Sequence, residues 1–403
     1  MLAGNLQNSY NPNSMNSILS GDRPVVGGRE LSIDRDGCVL VDGRSPAAGD
    51  GAARALAQLV ADVPAGADER AIAVDQTNTS VIVDDRLVVK LVGRWAAADR
   101  AGRLLERLAT AGSDDVARLH GRIEWSHPEF GTSTLAIVTE FLPGAEDGWT
   151  WAVDDAVACV SGGADPDWPE LLGRSVAHMH DVLGAEAVNA GPDAATARHA
   201  RAADALDRAV IAAQGAPGVR LLNRQASLER DIGTLAVTDA GLEFPIHGDL
   251  HVGQVLASPH PDGGRRYTII DFDGDPQLDP ADRERADAAA RDLAHLRVSL
   301  DLVAAVAQRR LGRADTRAFD WADRARASLL TAYREELSRP ELLDEALLPG
   351  FEAEQLVAEL HYGERFLPRW RYAPDAVITY RHPSSHEHPE EPWTPPPSAP
   401  TSS

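Results

Sequence analysis

The stretch FPIHGDLHVGQVL, residues 244–256, places an aspartate between two histidines and follows it with an apolar segment. Downstream, YTIIDFDGD, residues 267–275, is a second apolar, β-branched run that ends in acidic residues. Between them SPHPDGGRR is turn chemistry, with Asp262-Gly263 as its strongest hairpin signal. QVLA and YTII then read as the two strands of a hairpin. Pairing about a two-residue Asp262-Gly263 turn predicts that Gln254 stands beside Asp271 at the open end. Asp249 lies in the loop that feeds the first strand, so one hairpin gathers all three side chains.

Outward from this hairpin the chain divides by periodicity. Residues 67–142 read as strand, a QTNTS turn, strand (VIVDD, RLVVK), a helix over 96–111, then the strands GRIEW and TLAIVTEFL. Residues 21–66 hold short strands such as CVLV and one helix, GAARALAQLVADV. Beyond 150 helices dominate, predicted at 169–184, 194–214, 219–235, 286–308, 317–337 and 351–366. The expected domains are a disordered start (1–20), a cap (21–66), a β-rich lobe (67–142), a helical lobe (143–381) and a disordered Pro-rich tail (382–403). A β-rich half joined to a helical half predicts an α+β, two-lobed protein, and interfaces of that kind are where small ligands usually bind.

Composition narrows the function. The formal charge of −23 argues against nucleic acid and anionic membranes as partners, because both need a basic patch. The two cysteines, Cys38 and Cys159, are too few and too far apart for a disulfide framework or a metal site. No apolar run is long enough to span a bilayer, and the amino terminus lacks the parts of a signal peptide, which predicts a cytoplasmic protein. A monomer is the default expectation. Of the 39 basic residues, 38 are arginine and one, Lys90, is lysine. Lys90 closes the strand RLVVK, a place where a compact, rotatable point charge serves and a planar fork does not.

The motif HGDLHVGQ resembles the catalytic loop of aminoglycoside-phosphotransferase-like kinases, and IIDFDG resembles their metal-binding segment. QTNTSVIVDDRLVVKL and EFLPGAEDGW are similar to the maltokinase branch, and QLVAELHYGERFLPRWRYAPDA, residues 355–376, resembles the signature of glucosamine kinases of that fold. The resemblance spans residues 70–376 and implies a protein-kinase-like fold, ATP as phosphoryl donor and Mg²⁺. Phosphoryl transfer needs an in-line hydroxyl, charge neutralisation over the γ-phosphate and a carboxylate that orients the nucleophile. On this reading Asp249 is the base. Gln254 and Asp271 supply oxygen ligands to Mg²⁺, with Gln254 where relatives more often carry Asn, and Asp273 serves a second ion or supports the first. His247 braces backbone. His251 faces substrate or plays a structural part.

The resemblance also makes Lys90 the phosphate-contacting lysine, with Asp99 or Glu106 as its carboxylate partner. Thr77, Asn78, Thr79 and Ser80 would meet the phosphates, and the backbone of Glu140, Phe141 and Leu142 would hold adenine, an arrangement that leaves GTP or polyphosphate open as donors. The acceptor depends on residues 355–370. At 3.6 residues per turn, Gln355, Glu359, Tyr362 and Phe366 share an arc of about 60°, followed by Arg369 and Trp370. An aromatic face with hydrogen-bonding groups suits a sugar ring, and Glu359 suits an amine. The competing reading is a solvated face on which Glu359 pairs with Arg369. A glucosamine kinase is therefore the expectation, with a maltokinase as the alternative and a nucleotide-binding pseudokinase behind both.

Overall fold

The computed structural model describes residues 16–72, 79–95, 99–236, 241–312 and 316–384. The chain forms two compact units. One comprises the residues up to Ala145 together with Ser258–Arg285, and the other comprises Glu146–Ala257 and the residues from Ala286 onward. The segment carrying Asp271 and Asp273 thus belongs to the first unit, not to the helical lobe in which the sequence placed it.

In chain order the first unit holds β1 (Asn16–Ser20), β2 (Val25–Val26), β3 (Arg29–Ile33), β4 (Val39–Val41), α1 (Ala52–Ala57), β5 (Glu69–Ala71), β6 (Thr79–Val83), β7 (Leu87–Leu91), α2 (Arg100–Thr110), β8 (Leu119–His127) and β9 (Gly131–Glu140). Six of these strands form one sheet in the order β1-β8-β9-β7-β6-β5, with β1 parallel to β8. Along β7, Leu87, Val89 and Leu91 are buried, as strand alternation requires, and Lys90 falls on the opposite face. Ser80 of β6 and Ile137 of β9 flank Lys90 in register. Leu31, Val39 and Leu56 share one core with Val81, Val89, Ile123 and Trp125, so the cap expected at 21–66 is continuous with the sheet. The predicted helix at 51–63 is α1 alone, ending at Ala57.

Residues 16–20, expected to be disordered, form β1. Local sequence carries little signal there; the strand exists because it pairs with β8, buries Leu19, and hands on to Gly21, whose carbonyl accepts the Trp125 indole N–H at 2.7 Å. The predicted helix 96–111 begins at Arg100 among the described residues.

The chain continues with β10 (Glu146–Asp147), α3 (Gly148–Val160), α4 (Trp168–Leu183), β11 (Val188–Asn189), α5 (Ala194–Ala212), α6 (Gly215–Leu222), α7 (Gln225–Ile232), β12 (Leu242–Glu243) and β13 (Val255–Pro259). Next come β14 (Arg265–Ile269) and α8 (Pro280–Arg283), and then α9 (Ala289–Arg310), α10 (Arg317–Glu336), α11 (Leu348–Arg365) and α12 (Tyr372–Arg381). Helix α3 went unpredicted although Asp147 caps it, accepting the Trp149 N–H at 3.0 Å. The single helix expected over 219–235 breaks into α6 and α7 around Asn223-Arg224, where buried Arg224 donates back to the Arg220 carbonyl at 3.0 Å. Trp151, Trp168 and Trp321 pack in series at the centre of this unit, all but inaccessible to solvent. Asp301 of α9, fully buried, pairs with Arg326 of α10 and Arg381 of α12, and Arg326 reaches Glu352 of α11 at 2.7 Å.

The turn between β13 and β14 differs from the expected two-residue form. Gly263 donates to the His260 carbonyl at 3.0 Å and His260 donates to the Gly264 carbonyl at 3.1 Å. Gly263 has φ +85°, so Pro261-Asp262-Gly263 is a three-residue loop ending in a glycine bulge. His260 therefore opposes Gly264, one residue away from the expected register. The pairing that set Gln254 opposite Asp271 does not follow from this turn.

Candidate functional site

In the first unit the site is built on Lys90. Its ammonium lies 2.7 Å from Asp271 Oδ1 and 2.7 Å from Asp273 Oδ2. Burial disfavours the charged lysine, but the two carboxylates outweigh it and hold its pKa above the ordinary value. Lys90 is thus a fixed cation. The aspartates are presented by the end of β14, where Ile269 donates to the Asp115 carbonyl at 2.8 Å and Phe272 is buried between them. Asp271 adopts φ +64°, a left-handed conformation uncommon for a non-glycine residue and concentrated at functional positions.

Neither Asp99 nor Glu106, the expected partners of Lys90, pairs with it. Both pair with Arg122 of β8, which also reaches Glu124 at 3.0 Å. Burial raises the Asp99 pKa, against the pull of Thr134 and Arg122. The carboxylates at the start of α2 and within it are thus spent on an arginine that its distance along the chain concealed.

Asp271 and Asp273 offer hard oxygen donors, and among the described residues no group of three or more His, Cys, Asp or Glu stands ready to cage a metal. Two carboxylates without a cage fit Mg²⁺, which retains waters and takes its remaining ligands from substrate phosphates. They do not fit a structural zinc site.

Thr77 and Asn78 lie outside the described residues. Thr79 donates its hydroxyl to the Pro46 carbonyl at 3.4 Å, and Ser80 stands across the ladder from Lys90. The backbone of Glu140, Phe141 and Leu142 was expected to hold adenine, and two of its three N–H groups are already engaged: Glu140 donates to the Arg118 carbonyl and Phe141 to the Arg86 carbonyl. The Leu142 N–H has no such partner among the described residues.

In the second unit the loop 246–254 is pinned by Ile246, Leu250 and Val252, each buried, and by Gly248 at φ +87°. Asp292 of α9 holds the loop from beneath. Its carboxylate accepts the backbone N–H of His247 at 2.7 Å and of Gly248 at 2.8 Å, and His180 Nε2 lies 3.2 Å from it. Burial opposes that charge, yet the His180 hydrogen bond, the neighbouring imidazoles and the Gly248 N–H together depress the Asp292 pKa far below the carboxylate range. One helical turn pair further on, Ser299 accepts the Val252 N–H at 3.1 Å. His247 braces the loop as expected, its Nδ1 accepting the Asp249 N–H at 3.3 Å. Asp249 itself is four-fifths buried, with its Oδ2 4.0 Å from His251 Nε2. Gln254 donates its backbone N–H to the His251 carbonyl in a short 3-10 turn, Val252–Gln254.

A second group of residues adjoins His251. Its ring is 5.9 Å from that of Trp149, which is 5.2 Å from Trp370. The Trp370 indole donates to Glu359 Oε2 at 3.1 Å and Gln355 donates to Glu359 Oε1 at 3.2 Å. Tyr362 packs on Phe366, ring centroids 5.5 Å apart. Asp292, Ser299, His180 and Trp149 were not singled out in the sequence. Only Asp292 left a trace, as an acid within the apolar run of α9.

No protein-family model matches the chain. Among curated proteins it is 38% identical over 333 residues to a glucosamine kinase of Streptacidiphilus jiangxiensis, covering 77% of this chain and 73% of that one. It is 35% identical over 327 residues to a glucosamine kinase of Mycolicibacterium smegmatis (strain ATCC 700084 / mc(2)155), covering 77% of this chain and 78% of that one. A solved glucosamine kinase in complex with glucosamine, ADP and inorganic phosphate superposes with a TM-score of 0.75 at 32% identity, covering 88% of this chain and 87% of that one. A second crystal form of glucosamine kinase gives a TM-score of 0.76, also at 32% identity, over 89% and 88% of the two chains. The expectation of a kinase-like α+β fold holds.

Proposed function

Because the chain belongs to the glucosamine kinase family, we propose that it transfers the γ-phosphoryl group of ATP to glucosamine, yielding glucosamine 6-phosphate and ADP. The observation that carries the choice of sugar is Glu359, whose carboxylate is oriented by the Gln355 amide and the Trp370 indole N–H. A carboxylate beside an aromatic face suits an ammonium on a sugar ring.

On this reading Asp249 accepts the proton of the attacking hydroxyl, and Asp292 and Ser299 hold the loop that aims it. Lys90 contacts the phosphates as a permanent cation, and the Leu142 N–H meets the base of the nucleotide. Asp271 and Asp273 would hold Mg²⁺, which supplies charge neutralisation across the β- and γ-phosphates when bound. A role for Gln254 as a further oxygen ligand and for Thr79 and Ser80 at the phosphates belongs to the same proposal. His251, Gln355, Tyr362, Arg369 and Trp370 complete the acceptor side.

No helix among the described residues is long and apolar enough to cross a membrane. An ATP-consuming kinase works where ATP is plentiful, which supports the cytoplasm as its place of action. The test is a coupled ADP-release assay with glucosamine, glucose, N-acetylglucosamine, maltose and an aminoglycoside, run with ATP or GTP and with Mg²⁺ or a chelator. Glucosamine with ATP and Mg²⁺ should give the highest kcat/KM. A higher value for maltose or an aminoglycoside would replace the amino-sugar reading.

A further inference from the structure

Trp149 is the second residue of α3, and its indole lies between two other rings. It meets His251 at 5.9 Å with the planes tilted by 32°, and Trp370 at 5.2 Å edge to face, at 78°. His251 in turn lies 4.0 Å from Asp249, and Trp370 donates to Glu359 at 3.1 Å. Two glycines permit so close an approach. A Cβ on Gly148 would sit 1.7 Å from the Val252 carbonyl oxygen, and one on Gly253 would sit 2.5 Å from Trp149 Nε1 and 2.7 Å from His251 Cε1. No side chain fits at either position without displacing backbone or the indole. Asp147 fixes the same turn by accepting the Trp149 and Thr150 N–H groups. The first turn of α3 is therefore locked onto the loop that carries Asp249.

We propose that Trp149 is a positioning residue for the transfer step: its indole is the rigid spacer that sets the separation between Glu359, where the amine is held, and Asp249, where the hydroxyl proton is taken. This rests on the amino-sugar reading above. A sugar anchored by its ammonium can pivot about that one contact, and only a fixed wall beside the ring keeps its hydroxyl at the base. A misplacement of about 1 Å at the reacting atom costs on the order of 10² in rate. Neither of the hydrogen bonds to Glu359, from Gln355 and Trp370, comes from Trp149, so its removal should spare binding of the amine more than alignment.

The full-length chain carrying Trp149→Leu tests this against Trp149→Phe, which keeps a flat ring. For Trp149→Leu, kcat with glucosamine should fall by at least about tenfold while the KM values for glucosamine and ATP change by less than about threefold. ADP release should also exceed sugar phosphate formed, because water replaces the misplaced hydroxyl. Trp149→Phe should restore most of the turnover and the coupling. A loss confined to KM would make Trp149 an ordinary part of the binding surface and overturn the proposal. Equal impairment of the Phe variant, or unchanged turnover and coupling in the Leu variant, would do the same. Should Trp149→Leu fail to fold, Trp149→Met, whose flexible chain adapts to the gap without a flat ring, is read by the same criteria. Wild-type turnover of glucosamine is measured first: its absence sinks the substrate reading, whereas normal wild-type turnover with unaffected variants sinks the spacer alone.

Discussion

Asp292, fully buried in α9, accepts the backbone N–H of His247 at 2.7 Å, two residues before Asp249. The loop that carries Asp249, the proposed base, is thus anchored by a fully buried carboxylate. Asp292→Asn keeps one acceptor oxygen and loses the other together with the charge, which should destabilise the protein by about 1.5–3 kcal/mol. Urea unfolding measures it. Because the folded-state pKa is depressed, this stabilisation is present above the ordinary carboxylate range and is lost as pH falls through that range and below it. Wild type should therefore lose stability more steeply than Asp292→Asn between roughly pH 4 and pH 2. Equal slopes would mean that Asp292 is not the charge holding the loop.

Lys90→Arg tests whether a compact cation is required. A planar fork cannot meet Asp271 and Asp273 at 2.7 Å from one nitrogen and also turn toward phosphates. The KM for ATP should rise and kcat should fall, with the melting temperature measured alongside to separate a fold defect. An arginine variant with both constants unchanged would remove Lys90 from the nucleotide site.

Much of this unit was legible because strands announce themselves by alternation, as β7 does with Leu87, Val89 and Leu91 around Lys90. The partner of Lys90 was not legible. Asp99 immediately precedes α2 and Glu106 lies within it, and nothing local reveals that Arg122 claims both. The hairpin erred for a different reason: Asp262-Gly263 fits a two-residue turn, but Pro261 takes the first position of a three-residue loop and shifts the register by one. In the second unit, helical periodicity put Gln355 and Glu359 on one face, and the structure brings them within hydrogen-bond distance. The contacts of Trp149 and Asp292 depend on tertiary packing alone, which a linear pattern does not encode.

Asp249→Asn preserves shape in a loop held mainly through its backbone. Turnover should fall by about 10²–10⁴ while nucleotide affinity and melting temperature stay near wild type. Near-normal turnover would end the assignment of Asp249 as base.

Glu359→Gln removes the charge and keeps one acceptor oxygen for the Trp370 indole N–H, while the Gln355 amide can turn its own oxygen toward the new NH2 group. A charge-assisted hydrogen bond contributes about 1.5–3 kcal/mol, so kcat/KM for glucosamine should drop roughly ten- to a hundredfold. Glucose, with a neutral hydroxyl at that position, should lose far less. The ratio of the two substrates is the quantity to follow, since it cancels general damage to the site. An unmoved ratio would return Glu359 to a structural role.

The discontinuity of the first unit has a consequence for biosynthesis. Asp271 lies 181 positions after Lys90, and the segment Ser258–Arg285 that carries it is translated only after Glu146–Ala257 of the other unit. During synthesis from the amino terminus, the sheet holding Lys90 can form while its two anionic partners are still unmade. Contacts so distant along the chain are slow to close, and a nascent chain waits with that surface incomplete. A fragment ending at Ala145 can report on strand formation, but it holds a lysine without its carboxylates and has no metal chemistry to measure.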